Sequence, residues 1–316
     1  MKPLDVLISC GEASGDLYAS ELLKELKKHH SDVRAFGLGG AKAKAVGMEC
    51  TVQMEDVSVI GLFEVLRKLP DLKEAMVRLC EVAEERRPAL AVLIDFSGFN
   101  LRLARRLKQL GIRVVYYVSP QIWAWRQNRI KAIRQFVEEM LVILPFEKEF
   151  YERHGVQTQY VGHPLVDIVQ TSKTKEEFCK VSRLDPNRRF LLLVPGSRHR
   201  EAELHLPVFS KAISTLSKKD KSLQFLVSRA NTIERHVFTE KLGTLSNDVQ
   251  FLDGNIYDGL KYASAAVIAS GTATIEAALT ETPMVVVYRL GRLSYVFGKR
   301  FVRTPFYSMV NLIAGR

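Results

Sequence analysis

At 316 residues, with 47% hydrophobic and 26% charged side chains, the chain is long enough for about two domains, each with its own core. No apolar run approaches the roughly 18–20 residues of a spanning helix, and Asp5 and Glu12 stand where a signal peptide would be apolar. Cys10, Cys50, Cys80 and Cys179 lie far apart with no CxxC, which argues against a zinc site or a disulfide framework and for a cytosolic protein. The net charge of +11 asks for an anionic partner, and nucleic acid, an anionic membrane surface and phosphorylated small molecules all satisfy it.

Residues 4–9 form a short apolar strand. GEASGD (11–16) follows, and 17–28 then places Leu22, Leu23 and Leu26 on one helical face. The GEASGD loop is not GxGxxG and puts two carboxylates where a dinucleotide fold wants bare backbone. It reads either as a loop accepting hydrogen bonds from hydroxyls or as a tight turn capped by Ser14 or Asp16. Residues 33–38 are a second strand, ended by Gly39-Gly40. Residues 57–79 are apolar and basic, broken by Gly61 and Pro70. They read as core helix or as a surface that meets a membrane or acyl chains.

Residues 90–94 are a strand with Asp95 at its carboxyl end, the edge at which open α/β sheets bind ligands. Asp95 is therefore a candidate general base, with a helix N-cap as the plainer alternative. Residues 113–118 are the next strand. Trp123 and Trp125 follow, next to Arg126, Arg129, Lys131 and Arg134, a mixture that nucleic-acid binding would explain. The three-to-four spacing of Ile122, Trp125, Arg129 and Ile133 instead predicts one amphipathic helix. Residues 140–144 are another strand, and His163 falls in a turn as a structural residue.

The polar stretch 171–177 reads as the link between domains. Residues 190–194 are a strand ending in Pro195-Gly196-Ser197-Arg198, with a helix from His199. An Arg beside a Gly-Ser turn at a helix start suits a diphosphate, and an Arg–Glu surface pair is the alternative. Strands at 223–228, 249–252, 265–269 and 284–288 bring this half to five. Ser270-Gly271-Thr272 links the fourth strand to a helix at 273–279, a second place where unpaired N–H groups and the helix dipole favour phosphate. Glu276, one turn in, lacks the Ser or Thr at 273 that a capping box would need, and reads either as a partner for sugar hydroxyls or as a first-turn carboxylate that complements the helix dipole. The fold expected is α/β: two Rossmann-like doubly wound domains, 1–169 and 170–316, facing each other across a cleft.

Several segments, in order and over the whole chain, resemble the lipid-A-disaccharide synthase family. They are GEASGD (11–16), IDFSGFN (94–100), VSPQIWAWRQNRIKAI (118–133), LPFEKEFY (144–151), VGHP (161–164), PGSR (195–198), ASGTATIE (269–276) and NLIAGR (311–316). The resemblance implies an inverting glycosyltransferase of GT-B architecture. It would join UDP-2,3-diacylglucosamine to 2,3-diacylglucosamine 1-phosphate, giving the β-1,6 lipid A disaccharide and UDP.

Carried onto this sequence, the resemblance puts the UDP diphosphate on Gly196, Ser197, Arg198, Ser270, Gly271 and Thr272, and the ribose on Glu276. Asp95 would be the base, Glu12 and Ser14 would line the acceptor side, and Asn311 would stand with the donor. No metal or other cofactor is implied, because helix termini and Arg198 carry the leaving-group charge. The protein is expected in the cytoplasm, peripheral on the inner face of a bacterial membrane, with no nucleic acid bound and a homodimer as the candidate assembly. The 288–306 segment, with five basic residues among aromatics, is the expected membrane surface. A UDP-sugar 2-epimerase-like enzyme and a basic nucleic-acid binder are the rival readings. The family pattern continues past Arg316 with further helices, so freer hinging and reduced turnover are expected of these 316 residues alone.

Overall fold

A computed structural model describes residues 3–57, 68–231, 233–291 and 306–315. Its residues divide into two compact units, Met1–Pro164 and Leu165–Arg316. Each unit is an all-parallel sheet with helices in the crossovers. This is the doubly wound α/β class expected from the alternation of apolar runs and helical spacing.

The first sheet contains β1 (Leu4–Cys10), β2 (Val33–Gly39), β3 (Glu49–Gln53), β4 (Leu90–Ile94), β5 (Val114–Tyr117), β6 (Glu139–Val142) and β7 (Thr158–Tyr160). Their order is β3-β2-β1-β4-β5-β6-β7. The core packs Leu7, Phe36, Leu93 and Tyr116 of the strands against Leu79, Leu103 and Leu107 of the helices Leu69–Arg86 and Ser97–Gln109. The second sheet contains β8 (Phe190–Val194), β9 (Gln224–Arg229), β10 (Gln250–Asp253), β11 (Ala265–Ala269) and β12 (Met284–Val287), in the order β10-β9-β8-β11-β12. Its two faces feed separate cores. Leu192, Val194, Leu226 and Ile268 join one, and Leu193, Phe225 and Val227 the other. Burial on both faces is why these strands read as continuous apolar runs rather than alternating ones.

Two expectations need correction, and two edge strands were not expected. The edge strands β3 and β7 carry no apolar signature, because each pairs on one side only and β7 leaves Gln159 and Tyr160 exposed. GEASGD is not a loop: Ala13–His29 is helical throughout, and Gly15 lets that helix pass so close to β1 that a Cβ there would lie 3.1 Å from Cβ of Cys10. The single helix through 122–133 does not form. Turns occupy 120–124, Arg126 takes a left-handed φ of 56°, and only Gln127–Arg129 (3-10) and Ile130–Phe136 (α) are helical. The polar stretch 171–177 is fastened to the second unit. Asp258 accepts from the backbone N–H and hydroxyl of Ser172 at 2.7 and 2.9 Å, and Thr174 and Glu177 make a reciprocal capping box. Residues 58–67, within the apolar-basic stretch, and 292–305, most of the expected membrane surface, lie outside the described residues.

Candidate active site

In the first sheet the winding reverses between β1 and β4, adjacent central strands with Cys10 paired to Ile94. A doubly wound sheet leaves its ligand crevice at the carboxyl ends of strands at such a reversal. The turn and helix start after β1 carry Glu12 and Ser14 and the turn after β4 carries Asp95, so the topology brings three of the expected residues to one edge. The turns are in contact. A Cβ on Gly11 would meet the Phe96 ring at 2.3 Å, so only glycine fits there. Glu12, extended at φ −138°, precedes the helix, and Ser14 lies in its first turn. All three side chains are half-buried.

Asp95 and Phe96 hold consecutive left-handed conformations, with φ of 45° and 44°. Such a pair of non-glycine residues stores strain and persists only where the surroundings over-determine it. The fully buried Asn100 does so. Its Nδ2 donates to the carbonyls of Ser9 (3.2 Å), Ile94 (3.1 Å) and Asp95 (2.9 Å), while its Oδ1 accepts from the Ser9 hydroxyl at 2.7 Å. The Tyr116 hydroxyl, also buried, donates to the same Asp95 carbonyl. Burial, and then the nearby Asp95 charge, hold that phenol well above its ordinary pKa. Asp16 has a structural part: its carboxylate accepts from the N–H groups of Gly40, Lys42 and Ala43, capping the short helix Ala41–Ala45.

The Trp-rich loop is held from below by Glu147. This buried carboxylate accepts from the Ser119 hydroxyl (2.8 Å), Trp123 Nε1 (3.0 Å) and the Leu144 N–H (3.1 Å). Burial pushes its pKa up, against the pull of those donors. The Tyr151 hydroxyl donates to the Pro120 carbonyl at 2.7 Å. Trp123 is thus a packing residue, edge-on to Phe146, whereas Trp125 stays exposed beneath Arg126. His163 lies edge-on to Tyr18, and burial lowers its pKa to about 4.

In the second sheet the winding reverses between β8 and β11, with Val194 paired to Ile268. The two turns expected to bind diphosphate leave these neighbouring strands, so Gly196–Arg198 and Ser270–Thr272 share one edge. Gly196 has φ +112°, and a Cβ on it would lie 2.5 Å from Oε2 of Glu201. Arg198 precedes the helix His199–Lys219 and donates to Glu201 at 3.2 Å, so the surface-pair alternative is present in the fold. Ser270 donates from its hydroxyl to the Tyr307 carbonyl at 2.8 Å. This bond, with packing of the helix Met309–Ala314 on the helix Ala273–Leu279, brings the element carrying Asn311 against the one carrying Glu276.

Sequence reasoning missed His205. Buried in the helix His199–Lys219, its Nε2 accepts the Arg289 N–H at 2.9 Å. That acceptor role leaves the proton on Nδ1, which donates to the Pro195 carbonyl, also at 2.9 Å. One neutral imidazole therefore ties the 195–198 turn to the chain leaving β12. Its partners are 10 and 84 residues away, so no local pattern announces it. Asn100 was legible only as part of a motif, for the same reason: its partner Ser9 is 91 residues away. Among the described residues no group of three His, Cys, Asp or Glu side chains is placed to hold a metal ion. No described helix is long and apolar enough to cross a membrane.

A family model described as lipid-A-disaccharide synthetase matches residues 6–316. Relatives named lipid-A-disaccharide synthase include one from Solibacter usitatus, 40% identical over 98% of this chain and 81% of its own. Another, from Koribacter versatilis, is 42% identical over 99% and 82%. Among solved structures, the S. aureus MnaA–UDP complex aligns with TM-score 0.67 at 10% identity, covering all of this chain and 87% of that one. The UDP-GlcNAc 2-epimerase from Neisseria meningitidis bound to UDP-GlcNAc aligns with TM-score 0.63 at 13% identity, covering all of this chain and 90% of its own. At such identities the likeness is one of fold.

Proposed function

The chain belongs to the lipid-A-disaccharide synthetase family, and from that premise we propose which of its residues carry the reaction. The enzyme is a hexosyltransferase. It joins UDP-2,3-diacylglucosamine to 2,3-diacylglucosamine 1-phosphate, forming the β-1,6 disaccharide 1-phosphate and UDP.

Asp95 takes the proton from the acceptor's 6-hydroxyl as that oxygen attacks the anomeric carbon from the face opposite UDP. The bond from the anomeric carbon to the diphosphate oxygen breaks, UDP leaves with the electron pair, and the configuration inverts. The backbone and side chains of Gly196–Arg198 and Ser270–Thr272 receive the diphosphate. Their N–H groups and the Arg198 guanidinium stabilise the charge that develops on the leaving group. Glu276 accepts from the ribose hydroxyls, and Asn311 joins the donor side. Glu12 and Ser14 hold acceptor hydroxyls beside Asp95.

The observation that supports this reading best is topological. All of the expected donor turns leave the two strands at one winding reversal, β8 and β11, and the expected base and its neighbours leave the two at the other, β1 and β4. The epimerase likeness is one of fold and assigns no epimerase chemistry to this chain. We also propose that the basic protein attaches peripherally to the anionic inner face of the cytoplasmic membrane, a reading motivated by its net charge of +11. Incubation with the two acylated sugars, followed by mass spectrometry, tests the activity. The expected result is a disaccharide 1-phosphate with stoichiometric UDP, and a UDP-sugar epimer with no disaccharide would reject it.

A further inference from the structure

The Trp-rich loop holds two guanidinium groups that the reaction described above leaves unused. Arg126 lies 4.3 Å and Arg129 6.0 Å from the centroid of the Trp125 ring, so one indole carries two cations. Among the described residues, neither guanidinium has a carboxylate within ion-pair distance, although Arg129 is half-buried. Burial first, and then repulsion from Arg126, lower the pKa of Arg129. A third arginine, Arg102, repels it too and donates to the Gly98 carbonyl. Arginines crowded in this way, with no ion-pair partner among the described residues, form a site that an anion would stabilise.

Its place in the fold says which anion. Arg129 donates from Nη1 to the Ser97 hydroxyl at 2.7 Å, and Ser97 stands two residues after Asp95. Accepting that bond leaves the Ser97 O–H to donate outward. Arg129 and Asp95 also act on the same Tyr116 hydroxyl, with opposite sign, so the base and the cation share one neighbourhood. The helix Ser97–Gln109 opens there with no side-chain cap and no acidic residue in its first turn. Arg126, at φ 56°, is turned out of the helical path that the spacing predicted, and its exposed fork lies over the indole.

We propose that Arg126, Arg129 and the Ser97 hydroxyl form a phosphate-monoester subsite that receives the acceptor's 1-phosphate. The inference rests on the assignment of Asp95 as base and of a phosphorylated acceptor. In a pyranose C1 and C5 both flank the ring oxygen, so a group that grips the 1-phosphate also fixes where the 6-hydroxyl points. Guanidinium forks suit a phosphate through paired, charge-assisted bonds, which lysine cannot reproduce. The same chemistry would attract the phosphate of a membrane lipid, and the test separates the two sources.

Turnover is measured for the wild type, R126A/R129A and R126K/R129K with 2,3-diacylglucosamine 1-phosphate and with the same sugar lacking its phosphate. In R126A/R129A, kcat/KM for the phosphorylated acceptor should fall roughly 100- to 10,000-fold, mainly through KM, as two charge-assisted contacts are lost. The preference over the unphosphorylated sugar should collapse, while donor KM and UDP affinity stay unchanged. R126K/R129K should fall between, retaining charge without the fork.

A folded R126A/R129A variant that keeps the wild-type preference overturns the proposal. So does a variant that loses binding to phosphatidylglycerol vesicles while keeping that preference, which would assign the cluster to lipid headgroups. If the alanine variant fails to fold, the lysine variant decides by the same preference ratio. If the wild type forms no disaccharide, the activity reading fails on its own. Phosphorus NMR broadening of glucosamine 1-phosphate by wild type, and its loss in the variants, then still decides the subsite.

Discussion

Asn100 donates to the main-chain carbonyl of Asp95 at 2.9 Å, and this bond fixes the first of two consecutive left-handed residues. The Tyr116 hydroxyl reaches the same carbonyl. The candidate base is thus aimed by groups that bind its backbone. Asp95→Asn should lower kcat about 100- to 10,000-fold, the usual worth of a positioned base, with UDP affinity within a few-fold of wild type. Tyr116→Phe keeps the ring and removes one clamp, and should lower kcat roughly 10- to 100-fold through misplacement. Added to Asp95→Asn it should cost little more. Activity of Asp95→Asn within a few-fold of wild type would show that the base lies elsewhere.

Arg198 donates to Glu201, with 46% of its side chain exposed. Arg198→Ala should weaken UDP by about 1.5–3 kcal/mol, the range for a charge-assisted contact, and the lower end is expected because Glu201 competes for the guanidinium. Uridine binding should hardly change. Calorimetric titration with both ligands checks this, and an equal loss for UDP and uridine would remove the diphosphate assignment.

His205→Phe keeps an aromatic ring against Phe209 and Tyr288 but strands the Pro195 carbonyl and the Arg289 N–H. The buried Pro195 carbonyl costs about 1–3 kcal/mol once stranded and the more exposed Arg289 N–H less, so denaturant midpoints should drop clearly. UDP affinity should fall with them, since the 195–198 turn loses its anchor, and His205→Gln should restore part of both. Unchanged UDP affinity in a folded His205→Phe protein would separate the histidine from the turn.

Stability should carry a signature of His163. Burial lowers its folded pKa from the ordinary 6.5 to about 4. Between those values the unfolded chain binds the proton and the folded one does not, so acid favours unfolding. Its contribution is therefore complete above pH 6.5 and is lost as pH falls toward 4. His163→Asn should flatten this part of the stability profile, measured by denaturant melts from pH 4 to 8. A parallel profile would show that the group titrates normally.

Membrane attachment should be salt-sensitive. The chain carries a net charge of +11, and each basic group near an anionic surface contributes about 1 kcal/mol, screened within roughly 10 Å at 0.1 M salt. Sedimentation with anionic vesicles should weaken as salt rises. Binding that resists high salt would point to apolar docking.

Strands buried on both faces were legible to the residue: 90–94, 190–194 and 265–269 appear in the structure as read, because a continuous apolar run with β-branched residues needs no distant partner to announce itself. The turns after them were legible for the same local reason, and with them Asp95, Gly196, Arg198 and Glu276 as candidates. The edge strands Glu49–Gln53 and Thr158–Tyr160 were not, since half of what makes them strands belongs to the neighbour they pair with. The helix predicted through 122–133 failed because Glu147 and Tyr151 bind its loop more strongly than apolar spacing can favour a helix. Composition and local periodicity thus determined the class of each half and named candidate residues at its strand ends. Which of those ends stand side by side, and which buried side chains hold them there, was decided by strand order and by hydrogen bonds spanning 84 and 91 residues, which exist only once the sheets have assembled.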